Sequence, residues 1–327
     1  MFLLLLFLFA LLIITVWRTY PDIGRVVLSL REFWLCRRHG FTKLTYHING
    51  VPLSCEDNYN REKPLLILIH GMSADKSVWY PLLKSLNSDF RVVVPDLLGH
   101  GESRYSPSFR YDVQSQAQII NALIWQIGTT RAHVIGSSMG GHIAAYLAST
   151  YPETIKSCTL INPAGLPASK QSEFERLLAR DINPFLITGS RTYRKLLNLT
   201  MARPPVIPFM VRDALCQQHI DKNEHYRHIF HDYLQSGWLS MVQLESICCP
   251  TLVVWGAKDA VIDVSALDNW QRSLKTLKSS QIYPELGHLP MVESPKRVYY
   301  SFMHFYQHHC VSKPVAQETV ENRKNTG

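Results

Sequence analysis

The sequence has little charge and lacks the signatures of several protein classes. Only 18% of its residues are charged. There is no HExxH zinc pattern and no CxxC pair, and the seven cysteines are an odd set without paired spacing. They read as reduced thiols, consistent with a cytosolic face rather than a disulfide framework. No internal repeat or low-complexity run occurs. Lys+Arg number 34 against 26 Asp+Glu, a net charge of +8. Much of that excess sits in Arg18, Arg25, Arg31, Arg37, Arg38, Arg323 and Lys324. No basic stripe interleaved with aromatics follows, so nucleic acid is not an expected partner and a membrane surface is favoured instead. At 327 residues and 46% hydrophobic, the chain is not disordered and can bury the core of one large domain, or of a domain carrying an insertion.

What the chain does have is an apolar opening, MFLLLLFLFALLIITVW, with no charge before Arg18. It shows neither the basic n-region nor the small-residue cleavage site of a cleavable signal. The run is a little shorter than the ~20 residues of a usual spanning helix, with Trp17, Arg18 and Tyr20 placed to anchor one end at an interface. The expectation is an uncleaved single-pass signal anchor over residues 1–20, with a signal peptide and a surface-lying helix as alternatives. A basic juxtamembrane segment follows over 21–40, and the positive charges after the run put the body on the cytoplasmic side.

Further on, FTKLTYHINGVPLSC (41–55) alternates around Asn49-Gly50, a strong hairpin signal. Six short apolar runs follow: LLILIHG (65–71), FRVVVPD (90–96), RAHVIG (131–136), IKSCTLIN (155–162), PTLVVWG (250–256) and SSQIYPE (279–285). Such runs are typical of buried parallel strands, and helical segments such as 112–127 and 142–151 alternate with them. The fold class is therefore α/β, a mostly parallel doubly wound sheet with an N-terminal hairpin. Residues 165–240 offer no good strand run and are too long for a loop, which predicts a helical cap insertion. The core then comprises 41–164 and 241–310, and a polar tail occupies 311–327.

GSSMGG (136–141) sets G-x-S-x-G between an apolar strand and a helix. In that setting the turn exposes Ser138 at the C-terminal edge of the sheet as a nucleophile. Ser137 is a neighbour pointing elsewhere. A serine needs a histidine to take its proton and a carboxylate to orient that histidine. In the chain order Ser, acid, His, Asp259 follows one buried strand and His288 lies in the loop after the last. Asp263 is the competing acid, read as the cap of a following helix, and Asp268 is a third. The backbone N–H groups of Met72 and Met139 are the expected oxyanion donors, and His70 reads as a structural histidine beneath that loop.

HGMSADKSVW, PDLLGHGES, GSSMGG, NPAGL, WGAKDAVIDVS and GHLPMVESP together resemble the α/β-hydrolase superfamily over roughly residues 41–310. Within it the chain is most similar to membrane-anchored monoacylglycerol lipases of the α/β-hydrolase-domain group and to related anchored bacterial lipases. The resemblance implies an α/β-hydrolase fold and a serine hydrolase that cleaves lipid esters, with monoacylglycerol as the expected substrate, near membrane lipids. It implies no cofactor, no metal and no obligate protein partner. A carbon–carbon bond hydrolase of ring-cleavage products and a small-ester carboxylesterase are the alternatives; a non-catalytic adaptor would have lost a triad residue, and none is lost. HIDKNEHYRHIFHD (219–232) places Asp221, His225 and His228 on one expected helix face, read as polar surface rather than a metal site. Apolar stretches at 184–189 and 204–211 either line an acyl tunnel or pack the cap.

Overall fold

The structure, a computed structural model, describes residues 1–311, and of these the side chains of all but residues 16–21. The polar tail thus lies, beyond Val311, outside the described residues, as do the side chains of Trp17, Arg18 and Tyr20.

The hairpin forms as the pattern demands: β1 (Thr42–Ile48) and β2 (Val51–Asp57) pair antiparallel with Ile48 opposite Val51. Asn49 and Gly50 take φ of 51° and 80°, the left-handed pair that a two-residue hairpin turn requires. Next come β3 (Leu65–Ile69), β4 (Arg91–Pro95), β5 (Ala132–Ser137), β6 (Ile155–Ile161), β7 (Thr251–Gly256) and β8 (Leu277–Tyr283). Among the described residues they complete one eight-stranded sheet in the order β1-β2-β4-β3-β5-β6-β7-β8. It is parallel from β4 through β8. Strands covered on both faces must be apolar at every position, and β3 and β4 are buried at every residue.

The alternation of side chains divides the core. Ile67, Ile69, Val93 and Val134 enter one apolar cluster, Leu66, Leu68, Val92 and Val94 the other. On the first face lie α3 (Val113–Gln126) and α4 (Met139–Thr150). On the second lie α2 (Tyr80–Leu86) and α12 (Pro295–His309), through Leu83, Phe302 and Phe305. Each such side chain contributes about 1.5–3 kcal/mol through its burial. The short α11 (Pro290–Glu293) precedes α12, and α10 (Ala266–Ser273) lies between β7 and β8.

Between β6 and β7 the chain builds α5 (Glu173–Leu178), α6 (Ser190–Thr200), α7 (Phe209–Asp221), α8 (Asn223–Leu234) and α9 (Met241–Ser246). Serine caps open two of them: Ser172 with Glu175 and Ser240 with Gln243 form reciprocal capping boxes. Phe174, Phe185, Tyr226 and Ile229 from these helices join the first apolar cluster. The histidine-rich stretch is not one helix. It breaks at Lys222 (φ −103°, ψ 7°), so Asp221 ends α7 while His225 and His228 belong to α8. The shared face expected for these three residues does not form.

The N-terminal segment is a single helix, α1 (Phe2–Arg38). Among the described residues no helix is long and apolar enough to cross a membrane, which corrects the expectation of a single-pass signal anchor with the body on the cytoplasmic side. The physical reason is length. The apolar run of residues 2–17 rises about 24 Å as a helix against a hydrocarbon core of about 30 Å. Farther along, α1 carries charge and packs on protein. Gly24 and Leu28 are buried, a Cβ on Gly24 would overlap the Met210 carbonyl of α7, and Arg25 pairs with Asp221 at 3.7 Å.

Candidate active site

The site gathers where β3, β5, β6, β7 and β8 end. Ser138 joins β5 to α4 with φ 58° and ψ −123°, a conformation that is costly for a residue with a Cβ and is held only by its surroundings. Its N–H donates to Ile161 O at 3.0 Å, and its carbonyl accepts from Gly141, His142 and Ala164 N–H. The flanking glycines are required by close approach. A Cβ on Gly136 would overlap Gly140 O, and one on Gly140 would overlap Ile69 O. Strand, turn and helix therefore fit together only without those methyl groups.

The loop after β3 lies against the serine: a Cβ on Gly71 would stand 3.0 Å from Ser138 Cβ and 3.4 Å from its Oγ. Met72 and Met139 flank this contact in sequence and are 7% and 2% exposed. His70 underpins the loop. Its Nε2 accepts from Leu97 N–H at 2.9 Å while its Nδ1–H donates to Gly71 O at 2.8 Å, a pairing that only the neutral ring can satisfy. Burial pushes the pKa of His70 down, in the same direction. Beside it, buried Lys76 reaches Asp96 and Glu102, and Asp96 also accepts from Lys76 and Glu102 N–H at 2.8 and 2.9 Å. Burial raises the proton affinity of Glu102, but hydrogen bonds from Lys43 and Lys76 outweigh it and bring its pKa down to about 2.

Across the site, His288 Nδ1–H donates to Asp259 Oδ2 at 2.7 Å, and both side chains are buried. Asp259 Oδ1 accepts from Val261 and Ile262 N–H at 2.8 and 3.0 Å. Asp263 is engaged elsewhere: its Oδ1 accepts from Ser265 N–H in the turn before α10, whose N-cap is Ser265 rather than Asp263. The structure thus joins Asp259 to His288 and places Ser138 against Gly71. Among the described residues no hydrogen bond links Ser138 Oγ to His288, and such bonds often close only when substrate is bound.

Two supporting residues escaped the sequence reading. Asn162, in NPAGL, donates from Nδ2 to Asp259 Oδ2 at 2.7 Å. Glu293, in GHLPMVESP, accepts from Gly287 N–H at 2.7 Å and from Arg203 N–H at 2.8 Å, tying the His288 loop to the segment after α6. Asn162 lies 97 positions from Asp259, a separation that no local motif bridges. Glu293 stood inside a quoted motif, five residues after His288. A cleft of about 570 Å³ opens beside Asp259, walled by Lys170, Glu173, Arg176, Lys258 and Asp263. Its charged walls suit water better than an acyl chain. Among the described residues no three His, Cys, Asp or Glu side chains converge as metal ligands.

Comparison with known proteins places this geometry. The family model described as the alpha/beta hydrolase fold matches residues 64–295. The monoacylglycerol lipase ABHD6 of Bos taurus is 26% identical over 271 residues, covering 80% of this chain and 78% of that protein. Lipase 1 of Psychrobacter immobilis is 29% identical over 250 residues, covering 75% and 78%. Among solved structures, a membrane phospholipase A described as a bacterial virulence factor superimposes with a TM-score of 0.84 at 30% identity, covering 94% of this chain and 97% of that one. A 2-hydroxy-6-oxo-6-phenylhexa-2,4-dienoate hydrolase of Rhodococcus sp. strain RHA1 superimposes with a TM-score of 0.70 at 21% identity, covering 82% and 99%, a likeness of fold alone. Taken with the strained serine turn and the buried carboxylate–imidazole pair, these matches show that the chain belongs to the α/β-hydrolase family, among its lipase- and esterase-type members.

Proposed function

We propose that the protein hydrolyses monoacylglycerol to fatty acid and glycerol through Ser138, His288 and Asp259. The observation that carries this reading is the 2.7 Å bond between buried His288 and Asp259, on the same sheet edge as a serine held at φ 58°. His288 Nε2 takes the Ser138 proton as Oγ adds to the ester carbonyl. Asp259 keeps the imidazole in the required tautomer and balances its positive charge. Met72 and Met139 N–H groups receive the oxyanion; neither donates in the turn, loop and cap bonds described among the backbone groups. The tetrahedral adduct collapses, its C–O bond to glycerol breaks, and His288 protonates the departing alkoxide. Water, deprotonated by His288, then cleaves the acyl-serine and releases the fatty acid and free Ser138. Helices α5 to α8 act as the cap over this edge, between core segments 41–164 and 241–310.

Similarity to lipases and to monoacylglycerol lipases supports a lipid ester substrate. The structural likeness to a membrane phospholipase A supports a second reading, a phospholipid acyl ester. Fatty-acid release is to be measured from monoolein and dioleoyl phosphatidylcholine, and loss of the dienone chromophore from a ring-cleavage dienone, in detergent micelles, with wild type and Ser138→Ala. Release from monoolein by wild type alone is expected. Turnover of the phospholipid or the dienone with monoolein untouched would overturn the substrate and leave the serine mechanism standing. Equal turnover by Ser138→Ala would overturn the mechanism.

A further inference from the structure

Asn162 is the first residue beyond β6, fully buried, with φ at 44°. Asn enters this left-handed region more readily than most residues. Every polar group of the residue apart from its own carbonyl has an assigned partner. Its N–H donates to Val254 O on β7 at 2.9 Å, and its Oδ1 accepts from Gly256 N–H at 3.2 Å. Its Nδ2 donates to Asp259 Oδ2 at 2.7 Å and reaches Gly287 O at 3.5 Å. Asp259 Oδ2 is also the oxygen that receives the His288 Nδ1 proton at 2.7 Å. One carboxylate oxygen therefore serves two donors, while the other is filled by backbone N–H groups from Val261 and Ile262.

We propose that Asn162 is a positioning residue of the Asp259–His288 pair: its carboxamide fixes the rotation of the carboxylate and shares the charge of the oxygen that faces His288. The inference rests on the triad reading given above. A second donor on Oδ2 weakens the pull of that oxygen on the imidazolium proton. Without it the carboxylate favours charged His288 more strongly. Asn162 also holds the carboxylate in the orientation in which Oδ2 meets His288 Nδ1–H. Among the described residues the other ionisable groups around this pair are Lys170, Glu173, Arg176, Lys258 and Asp263, which wall the cleft beside Asp259, and Glu293, which is bound to Gly287 N–H.

The same side chain also ties β6 to β7, so the test must separate the two roles. Asn162→Asp keeps an acceptor for Gly256 N–H and a residue type tolerant of positive φ, but sets a second acceptor against Asp259. With a short-chain nitrophenyl ester, it is expected to lower kcat on the order of 100-fold with KM little changed. The acid limb of kcat/KM should move about one unit to higher pH, the direction an added negative charge imposes. Asn162→Gly, which accepts the same backbone angle, should move both quantities the same way by less. It carries the test if the aspartate variant does not fold. A lowered Tm with kcat and the acid limb unchanged would overturn the proposal, leaving Asn162 a structural tie alone. Fluorophosphonate labelling of wild type but not Ser138→Ala shows in parallel that the triad reading stands. Labelling of both would overturn that reading and this inference with it.

Discussion

The two halves of the site are built from different materials. The serine half is made of backbone: a strained turn, glycines at close approach, and a loop resting on a neutral histidine. The acid–histidine half is made of side chains reaching across the sheet edge, Asn162 and His288 onto Asp259 and Glu293 onto the loop before His288. Backbone geometry fails when a group is added, whereas side-chain geometry fails when a hydrogen-bonding atom changes its kind.

The sharpest way to expose that difference is kinetic. On the proposed mechanism, Ser138→Ala should cost on the order of 10^6 in kcat, as loss of the nucleophile, and Asp259→Asn about 10^4, as loss of the orientation and charge balance of His288. Equal losses would erase the distinction. Next in size is a stability effect on the serine half. Lys76→Met strands buried Asp96 without its counter-ion and should cost about 3–5 kcal/mol in urea unfolding. A cost below about 1 kcal/mol would mean that the loop stands on its backbone alone. The smallest effect is pH-dependent. Glu102 has its pKa lowered from 4.5 to about 2 in the fold, so its contribution is present above pH 4.5 and is lost as pH falls toward 2. Because the carboxylate is half exposed, that contribution is about 1 kcal/mol after screening. Glu102→Gln should therefore be less stable than wild type at pH 6 and indistinguishable from it near pH 2.

The serine half was the more legible in sequence, and for a physical reason. A nucleophile turn needs its strand, glycines and helix contiguous, so GSSMGG displays the whole local requirement. Buried parallel strands were legible because both faces demand apolar side chains. The β8 boundary was displaced, read at 279–285 against Leu277–Tyr283, because an edge strand with exposed Lys278, Ser280 and Gln281 carries only half of that signal. Asp259 and His288, which the structure brings into contact, were singled out by their order in the chain. Asn162 could not be, since an asparagine after a strand reads as a turn until its partner is seen. The anchor reading failed because apolar composition does not fix length, and the break at Lys222 went unseen because no proline or glycine marks it.

The docked half of α1 has a practical meaning for anyone shortening this chain. Residues 2–15 expose apolar side chains and contribute little to the folded body, whereas Gly24 and Leu28 are seated in it. A clone opened near residue 22 would shed the sticky leader and keep Arg25 for Asp221. One opened at Phe41, the apparent start of the hydrolase core, would strip α7 of its cover and trade one greasy surface for another.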